Sequence, residues 1–487
     1  MKFAQIVLRA GTCVALFAGS FATIALSATL PTTVTVRNFF RSGTDSLTFT
    51  RPVMVKPYPA EDSAFIVMQQ SGQLLTVRWT EGAWRRTDTA TITVMGGANG
   101  IDEQGLLGFA FHPNYSQNGK YYVYFVSGTN SVRYDVLAER IAGSSLRPKT
   151  SDVQRTLLRL RDPYDNHNGG TIGFDNEGHL VLGIGDGGTT QGDPQNRAQN
   201  KDSLHGKFLR FDVNGADAFP NDTLRNYAIP STNPFKDSVN ARPEVFAYGA
   251  RNPWKWSFHP VTGEIWAGDV GQDDWEKVTR VPKGANLGWR LREGPACYNP
   301  VTNCPSEGLL PPAMSIPHPD GTVIVGGVFF VGASFSPYNG AYIFGDHGSS
   351  RIWATRVQND KLVDSTVIGA LNKVVSFDRD RQGRILATSI SPDVGGQFIS
   401  SNIGRVVVLE SPDMQLSNAA SIRPTRRPGI KAITVADLLR NPESYTIKSL
   451  DGRLIRTGPS GLSSLRGAAL VQKKGWQEPP ELLPLVW

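Results

Sequence analysis

Two stretches hold the residues from which chemistry could be built. The first, RDPYDNHNGGTIGFDNEGHLVLGIGDGGTTQGDPQNRAQNKDSLHGKFLR, spans 161–210 and sets His167 just ahead of Gly169-Gly170 and a β-rich run. An imidazole titrates near neutral pH, so it can serve as a general base; a histidine satisfied within its loop is the alternative. The glycine pair would let the backbone approach a flat ligand closely. The second stretch, 243–290, carries Arg251-Asn252 ahead of Pro253, whose ring makes a rigid turn. A planar guanidinium beside an amide suits a carboxylate- or quinone-bearing ligand; an arginine bridging two structural units is the alternative. The same stretch contains Trp254, Trp256, Trp266, Trp275 and Trp289, which suit a core or a sugar-stacking mouth. Asp269, Asp273 and Asp274 suit either a hard cation or a solvated loop.

The elements that must position these residues repeat along the chain. An aromatic or apolar residue, a Pro or Asp turn, a Gly and a β-rich run recur at Phe111, Phe174, Phe258, Phe335 and Phe377, with a diverged copy near Val55. Short strands with Gly/Pro turns, repeated six times, predict an all-β chain built as a six-bladed β-propeller. A four-stranded blade cannot cover both its faces alone, so the aromatic of each copy is expected between blades. His112 and His259 occupy the same slot in two copies and read as turn residues. GIGDGG at 183–188 lacks the surrounding βαβ unit of a dinucleotide-binding loop and reads as a blade turn, as does the aspartate-rich 378–383.

The propeller is expected over 33–411, a linker over 412–430, and a small C-terminal β-rich module over 431–487, of a sorting or attachment kind. Within the module, 433–445 has helical period, while YTIKSLDGRLIRTG and RGAALVQKKG read as strand pairs. At the other end, Lys2 and Arg9 flank an apolar stretch closing on Ala25, Ser27 and Ala28. That layout predicts a signal peptide over 1–28 and an exported protein, periplasmic, secreted or cell-surface attached; a membrane anchor is the alternative. In an oxidising compartment Cys297 and Cys304 would form one local disulfide, with free thiols as the alternative.

Among 487 residues, 50 Lys+Arg against 43 Asp+Glu leave a net charge of +7, but the cations are dispersed, which gives no nucleic-acid arm. The zinc-protease HExxH and the hydrolase GxSxG are absent from the sequence.

Taken in order, GLLGFAFHP (105–113), HNGGTIGF (167–174), GKFLRFDV (206–213), FAYGARNPW (246–254), GDVGQDDWE (268–276) and GANLGW (284–289) resemble the soluble glucose/sorbosone dehydrogenases. GAYIFGDHGSSRIWA (340–354) is similar to that family's bacterial branch, which also resembles the propeller of hedgehog-interacting proteins. The resemblance covers roughly 55–411. It implies a propeller that binds pyrroloquinoline quinone and calcium, oxidises the anomeric carbon of a small-molecule aldose to a lactone, and passes electrons to an external acceptor. By the same resemblance His167 takes the proton of the sugar C1 hydroxyl while hydride passes to the quinone. Arg251 stabilises charge on the quinone oxygen, Asn252 helps to hold it, and carbonyls around Gly271 and Gln272 bind calcium.

The chain departs from the family pattern at several points. Glu103 stands where glucose-oxidising members have Gln, and Val270 where a second Gln is expected. The family's cofactor-contacting Lys has no counterpart in Asp346-His347-Gly348, and its later Arg pair is matched only by Lys373, with Val375 opposite the second. Fewer cations leave less charge to complement a tricarboxylate. A non-catalytic propeller binding a carbohydrate or protein is therefore the second reading, and a calcium-dependent hydrolase the third.

Overall fold

The computed structural model describes residues 30–416, apart from residue 60, 98–102, 130–131, 334 and several positions within 391–402, together with four strands between 445 and 484. The predicted signal peptide and the helical-period window up to residue 444 lie outside the described residues.

Six antiparallel sheets follow one another along the chain as blades, five of four strands and a sixth in which the short Phe49–Thr50 joins four others. Blade 1 runs from Pro52–Tyr58 to Ala83–Thr91, blade 2 from Leu106–Phe111 to Val153–Asp162, and blade 3 from Ile172–Phe174 to Val245–Tyr248. Blade 4 runs from Pro253–Phe258 to Met314–Pro317 and blade 5 from Ile324–Phe329 to Lys361–Ala370. Blade 6 takes Val374–Arg379, Ile385–Ser389 and Ile403–Glu410, then completes itself with Thr35–Asn38 from the chain's beginning, paired Thr35 to Glu410 and Asn38 to Val407. That last pairing ties the first blade-forming residues to the last and removes an open sheet edge. Among the described residues the only α-helix is Tyr115–Asn118, and no helix is long and apolar enough to cross a membrane.

The strand sequences follow their depth in the blade. Strands covered on both faces read as continuous apolar runs, as in buried Tyr121–Val126, whereas outer strands such as Ala83–Thr91 are polar and largely open to solvent. The recurring sequence motif lies at the turn between the first and second strands of each blade. There His112 Nδ1 accepts the Asn114 amide, and His259 Nδ1 accepts those of Val261 and Thr262, so both histidines brace turns.

The expected inter-blade aromatic is corrected in blade 5. Phe335 is 73% exposed, and buried Phe329, paired with Tyr342 across the sheet, takes the position held by Phe111, Phe174 and Phe258 in their blades. Five residues separate Phe329 from Phe335, which stands away from the core.

The beginning of the expected linker also belongs to the packed body. Met414 is buried among blade 5 and blade 6 side chains, and the Gln415 carbonyl accepts the Ala333 amide. The C-terminal strands form one antiparallel sheet in the order Leu454–Ile455, Tyr445–Lys448, Ala468–Lys473, Glu481–Pro484.

Candidate active site

Because every blade begins with its innermost strand, the residues just before that strand and just after the second strand gather at one end of the central channel. A cavity of about 370 Å³ opens there. Entry to the innermost strands supplies Arg51, Glu103, His167, Arg251-Asn252, Thr322-Val323 and Val374-Val375 from blades 1 to 6 in turn; the ends of the second strands supply Gln70, Val270-Gly271, His347 and Ile390. Trp254 also lines it; its indole Nε1 donates across the channel to the Val375 carbonyl at 3.0 Å.

His167 is buried and has φ +58°, a left-handed backbone that costs a non-glycine residue about 1 kcal/mol or more and persists only where the surroundings impose it. Two contacts do so. The His167 amide donates to Glu103 Oε2 at 2.8 Å, and Nδ1 lies 2.7 Å from Asp186 Oδ1. Asp186 is fully buried and also accepts the Gly188 amide and the indole Nε1 of Trp289. Burial works against its charge, but the hydrogen bond and charge of His167, the charge of Arg251 and the Gly188 amide together hold its carboxyl below the usual carboxylate range. An ionised Asp186 requires Nδ1 to donate. The lone pair is thereby placed on Nε2, which has no protein partner among the described residues. GIGDGG at 183–188, read as a turn, thus also supplies the carboxylate that orients the histidine, a role the sequence reading missed.

Arg251 and Asn252 sit on one bend. Both backbone amides donate to Asp269, which also lies 3.5 Å from Lys277 Nζ; this aspartate therefore shapes the bend. The Arg251 guanidinium donates to Gln272 Oε1 and the Val270 carbonyl and lies 5.6 Å from the Trp289 ring centroid. Asn252 Nδ2 donates to Glu103 Oε2 at 3.0 Å, while its oxygen accepts the Gly169 amide. One carboxylate oxygen of Glu103 therefore fastens the loops of His167 and Asn252 together.

The calcium expectation at Gly271 and Gln272 meets a different arrangement. The amides of Gln272, Asp273, Asp274 and Trp275 converge on Glu293 Oε1, at 2.5 to 3.4 Å, and the Gly271 amide donates to Glu276. The neighbouring Val270 carbonyl already accepts from Arg251 and Lys277. The loop's amides are thus gathered on carboxylates, and the Val270 carbonyl meets two protein cations. Among the described residues no three His, Cys, Asp or Glu side chains gather as metal ligands.

Of the other expected residues, Glu103 lines the cavity and Lys373 does not; Lys373 lies beside it with φ +50°, its carbonyl accepting the Ile390 amide. Gly169 and Gly170 are explained by packing: a Cβ on Gly170 would lie 2.6 Å from the Tyr124 ring, and one on Gly169 2.8 Å from the Gly183 carbonyl. Cys297 and Cys304 form the disulfide, in the loop that packs Tyr298 against Trp289 with the rings tilted. Arg51, Gln70 and His347 were missed as cavity residues. Arg51 ends a bend between blades 6 and 1, where an isolated arginine gives no motif.

A sequence model of the Glucose / Sorbosone dehydrogenase family matches residues 49–395. The HIPL1 protein of Arabidopsis thaliana is 31% identical over 306 residues, which cover 52% of this chain and 44% of that protein. The Hedgehog-interacting protein of Homo sapiens is 28% identical over 363 residues, covering 68% of this chain and 47% of its own. Aldose sugar dehydrogenase YliI of Escherichia coli is 28% identical over 196 residues, covering 38% and 46%. The chain thus spans somewhat under half the length of these curated relatives. Among solved structures, the PQQ-bound Aldose Sugar Dehydrogenase from Streptomyces coelicolor matches with a TM-score of 0.58 at 19% identity, over 78% of this chain and 99% of that one, and so shares its fold. The six blades, the cavity at their channel mouth and the family match over most of the propeller together place the chain in the Glucose / Sorbosone dehydrogenase family.

Proposed function

We propose that this protein is an exported, quinone-dependent aldose dehydrogenase that oxidises the C1 hydroxyl of a sugar to a lactone. The observation that carries the reading is the buried Asp186–His167 pair, with Nε2 left to take a proton in a cavity that also receives the guanidinium of Arg251. The cavity's donor set fits pyrroloquinoline quinone: Arg51 and Arg251 offer fixed cations, Asn252 an amide, and Trp254, Val270, Val323, Val374 and Val375 apolar cover for a planar ring system. When bound, the quinone supplies the two-electron acceptor for the hydride leaving C1, and an external acceptor later removes those electrons.

His167 Nε2 receives the hydroxyl proton as the carbonyl forms. Asp186 keeps the imidazole in the required tautomer and stabilises its protonated form. Arg251, held by Gln272 and Val270, presents positive charge where a negative oxygen develops. Glu103 and Asn252 hold the two loops in register. No step runs through calcium.

Glu103 favours one other reading, because its carboxylate adds negative charge to a cavity meant for an anionic cofactor. In that reading the propeller binds a carbohydrate or protein without turnover. Titration of the purified protein with pyrroloquinoline quinone, followed by absorbance and then by aldose-dependent reduction, separates the two. Binding with sugar-dependent reduction that His167→Ala abolishes is expected. Absence of binding at micromolar quinone would reject the dehydrogenase and favour the binding propeller.

A further inference from the structure

Arg51 stands apart from the His167 and Arg251 group, yet it is built into the same cavity. It is 5% exposed, and it lies on the bend that leads from the edge of blade 6 into the innermost strand of blade 1. Its φ of +44° sets an arginine in a backbone conformation usually left to glycine or asparagine. The guanidinium donates from Nε and one terminal nitrogen to Gln70 Oε1, at 3.0 and 2.7 Å, while the Arg51 carbonyl accepts the Gln70 amide. Gln70 is fastened in turn to the Gln104 carbonyl. A long, flexible cation has thus lost its rotamer freedom before any ligand arrives, which is the condition under which a charged hydrogen bond contributes most to binding.

His347 lines the cavity beside Arg51; burial first, and then the charges of Lys373 and Arg51, lower its pKa below the ordinary imidazole value, and its Nδ1 donates to the Val374 carbonyl. Asp346, the nearest acid in sequence, directs its carboxylate to the amides of Thr322, Val323 and Ser349. A guanidinium held in place at a cavity wall matches the planar geometry of a carboxylate.

We infer that Arg51 forms a carboxylate-binding subsite in the cavity, separate from the Asp186–His167 pair, and that the ligand bound there carries its carboxylate towards blade 1. The inference rests on the reading of the cavity as a quinone and sugar site. The carboxylate has two possible sources, the quinone or an acidic sugar, and the experiment distinguishes them.

The wild-type protein, Arg51→Gln and Arg51→Lys are compared by equilibrium binding of four probes: pyrroloquinoline quinone, a quinone without carboxylates, glucuronate and glucose. Thermal melting of each variant checks that it is folded. Arg51→Gln is expected to weaken the carboxylate-bearing ligand by about ten- to hundredfold, as for loss of a charged hydrogen bond, and to leave its neutral counterpart unchanged. Arg51→Lys should recover part of the loss. A loss confined to pyrroloquinoline quinone assigns the subsite to the cofactor, and one confined to glucuronate assigns it to substrate. Equal effects on charged and neutral ligands, or none, overturn the subsite while leaving the dehydrogenase reading standing. Wild-type protein that prefers neither carboxylate over its neutral counterpart also overturns the subsite. Absence of quinone binding by the wild type, with glucuronate still bound through Arg51, rejects the dehydrogenase reading alone.

Discussion

Asp186 Oδ1 lies 2.7 Å from His167 Nδ1, and the Trp289 indole donates to the other oxygen of the same carboxylate, so one buried aspartate fixes both the tautomer and the setting of the histidine. Asp186→Asn preserves shape but removes the charge that selects Nδ1–H. We expect kcat for aldose oxidation to fall by about 10²- to 10⁴-fold with KM little changed, and the imidazole nitrogen NMR shifts to move towards the other tautomer. Unaltered shifts together with unaltered kcat would remove Asp186 from the mechanism.

Glu103 Oε2 accepts both the His167 amide and Asn252 Nδ2 while adding negative charge to the cavity. Glu103→Gln should cost about 1 kcal/mol of stability by weakening two charge-assisted hydrogen bonds. It should also tighten binding of an anionic quinone by roughly threefold to thirtyfold, as expected for one charge removed at several ångströms. Weaker quinone binding in a variant that melts normally would show that Glu103 contributes more as a ligand than it costs as a charge.

Four consecutive amides, from Gln272 to Trp275, meet at Glu293. Glu293→Ala leaves them without their acceptor and should destabilise the protein by about 2–4 kcal/mol. Hydrogen exchange should accelerate at 272–275, and Arg251 should lose its Gln272 support. In the wild type, millimolar calcium or its chelation should leave the melting temperature unchanged. A calcium-dependent rise of several degrees would place an ion in this loop.

Between blades 2 and 3, Asp135 and Asp162 are buried close together. Burial and then the Asp162 charge raise the Asp135 carboxyl well above its usual range, and burial, opposed by Arg133 and Asn168, pushes Asp162 up to about 6. A carboxyl with a raised folded-state pKa holds its proton better folded than unfolded. Stability is then lost as pH rises from about 4, where the unfolded carboxyls ionise, through about 6. Asp186, depressed in the fold, acts in the opposite sense: its contribution is present above pH ~4 and lost as pH falls through its folded value. Asp135→Asn should therefore flatten the decline between pH 4.5 and 7 in chemical denaturation. Identical slopes for variant and wild type would rule out the pair as its source.

The repeated hairpin was legible because each blade solves the same burial problem with the same turn, and a turn leaves its mark in adjacent residues. His167, Arg251 and Asn252 were legible for a related reason: each stands at the entry to an innermost strand, where a short motif runs on into the strand that points it at the channel. Phe335 misled because a surface turn in blade 5 copies the motif's letters, while Phe329, six residues earlier, fills the core position.

The sequence by itself determined the six-bladed architecture, the histidine, the Arg-Asn bend and the cysteine pair, all of which depend on contacts within one blade or one loop. Only the tertiary structure decided that Asp186 orients His167, that Glu103 joins two loops, that Glu293 gathers the amides of the loop expected to hold calcium, and that Arg51 enters the cavity. Those contacts join residues from 19 to 149 positions apart, or side chains from different blades. Closing the ring brings them together, and no local pattern of residue types records which of many acids and cations will meet there.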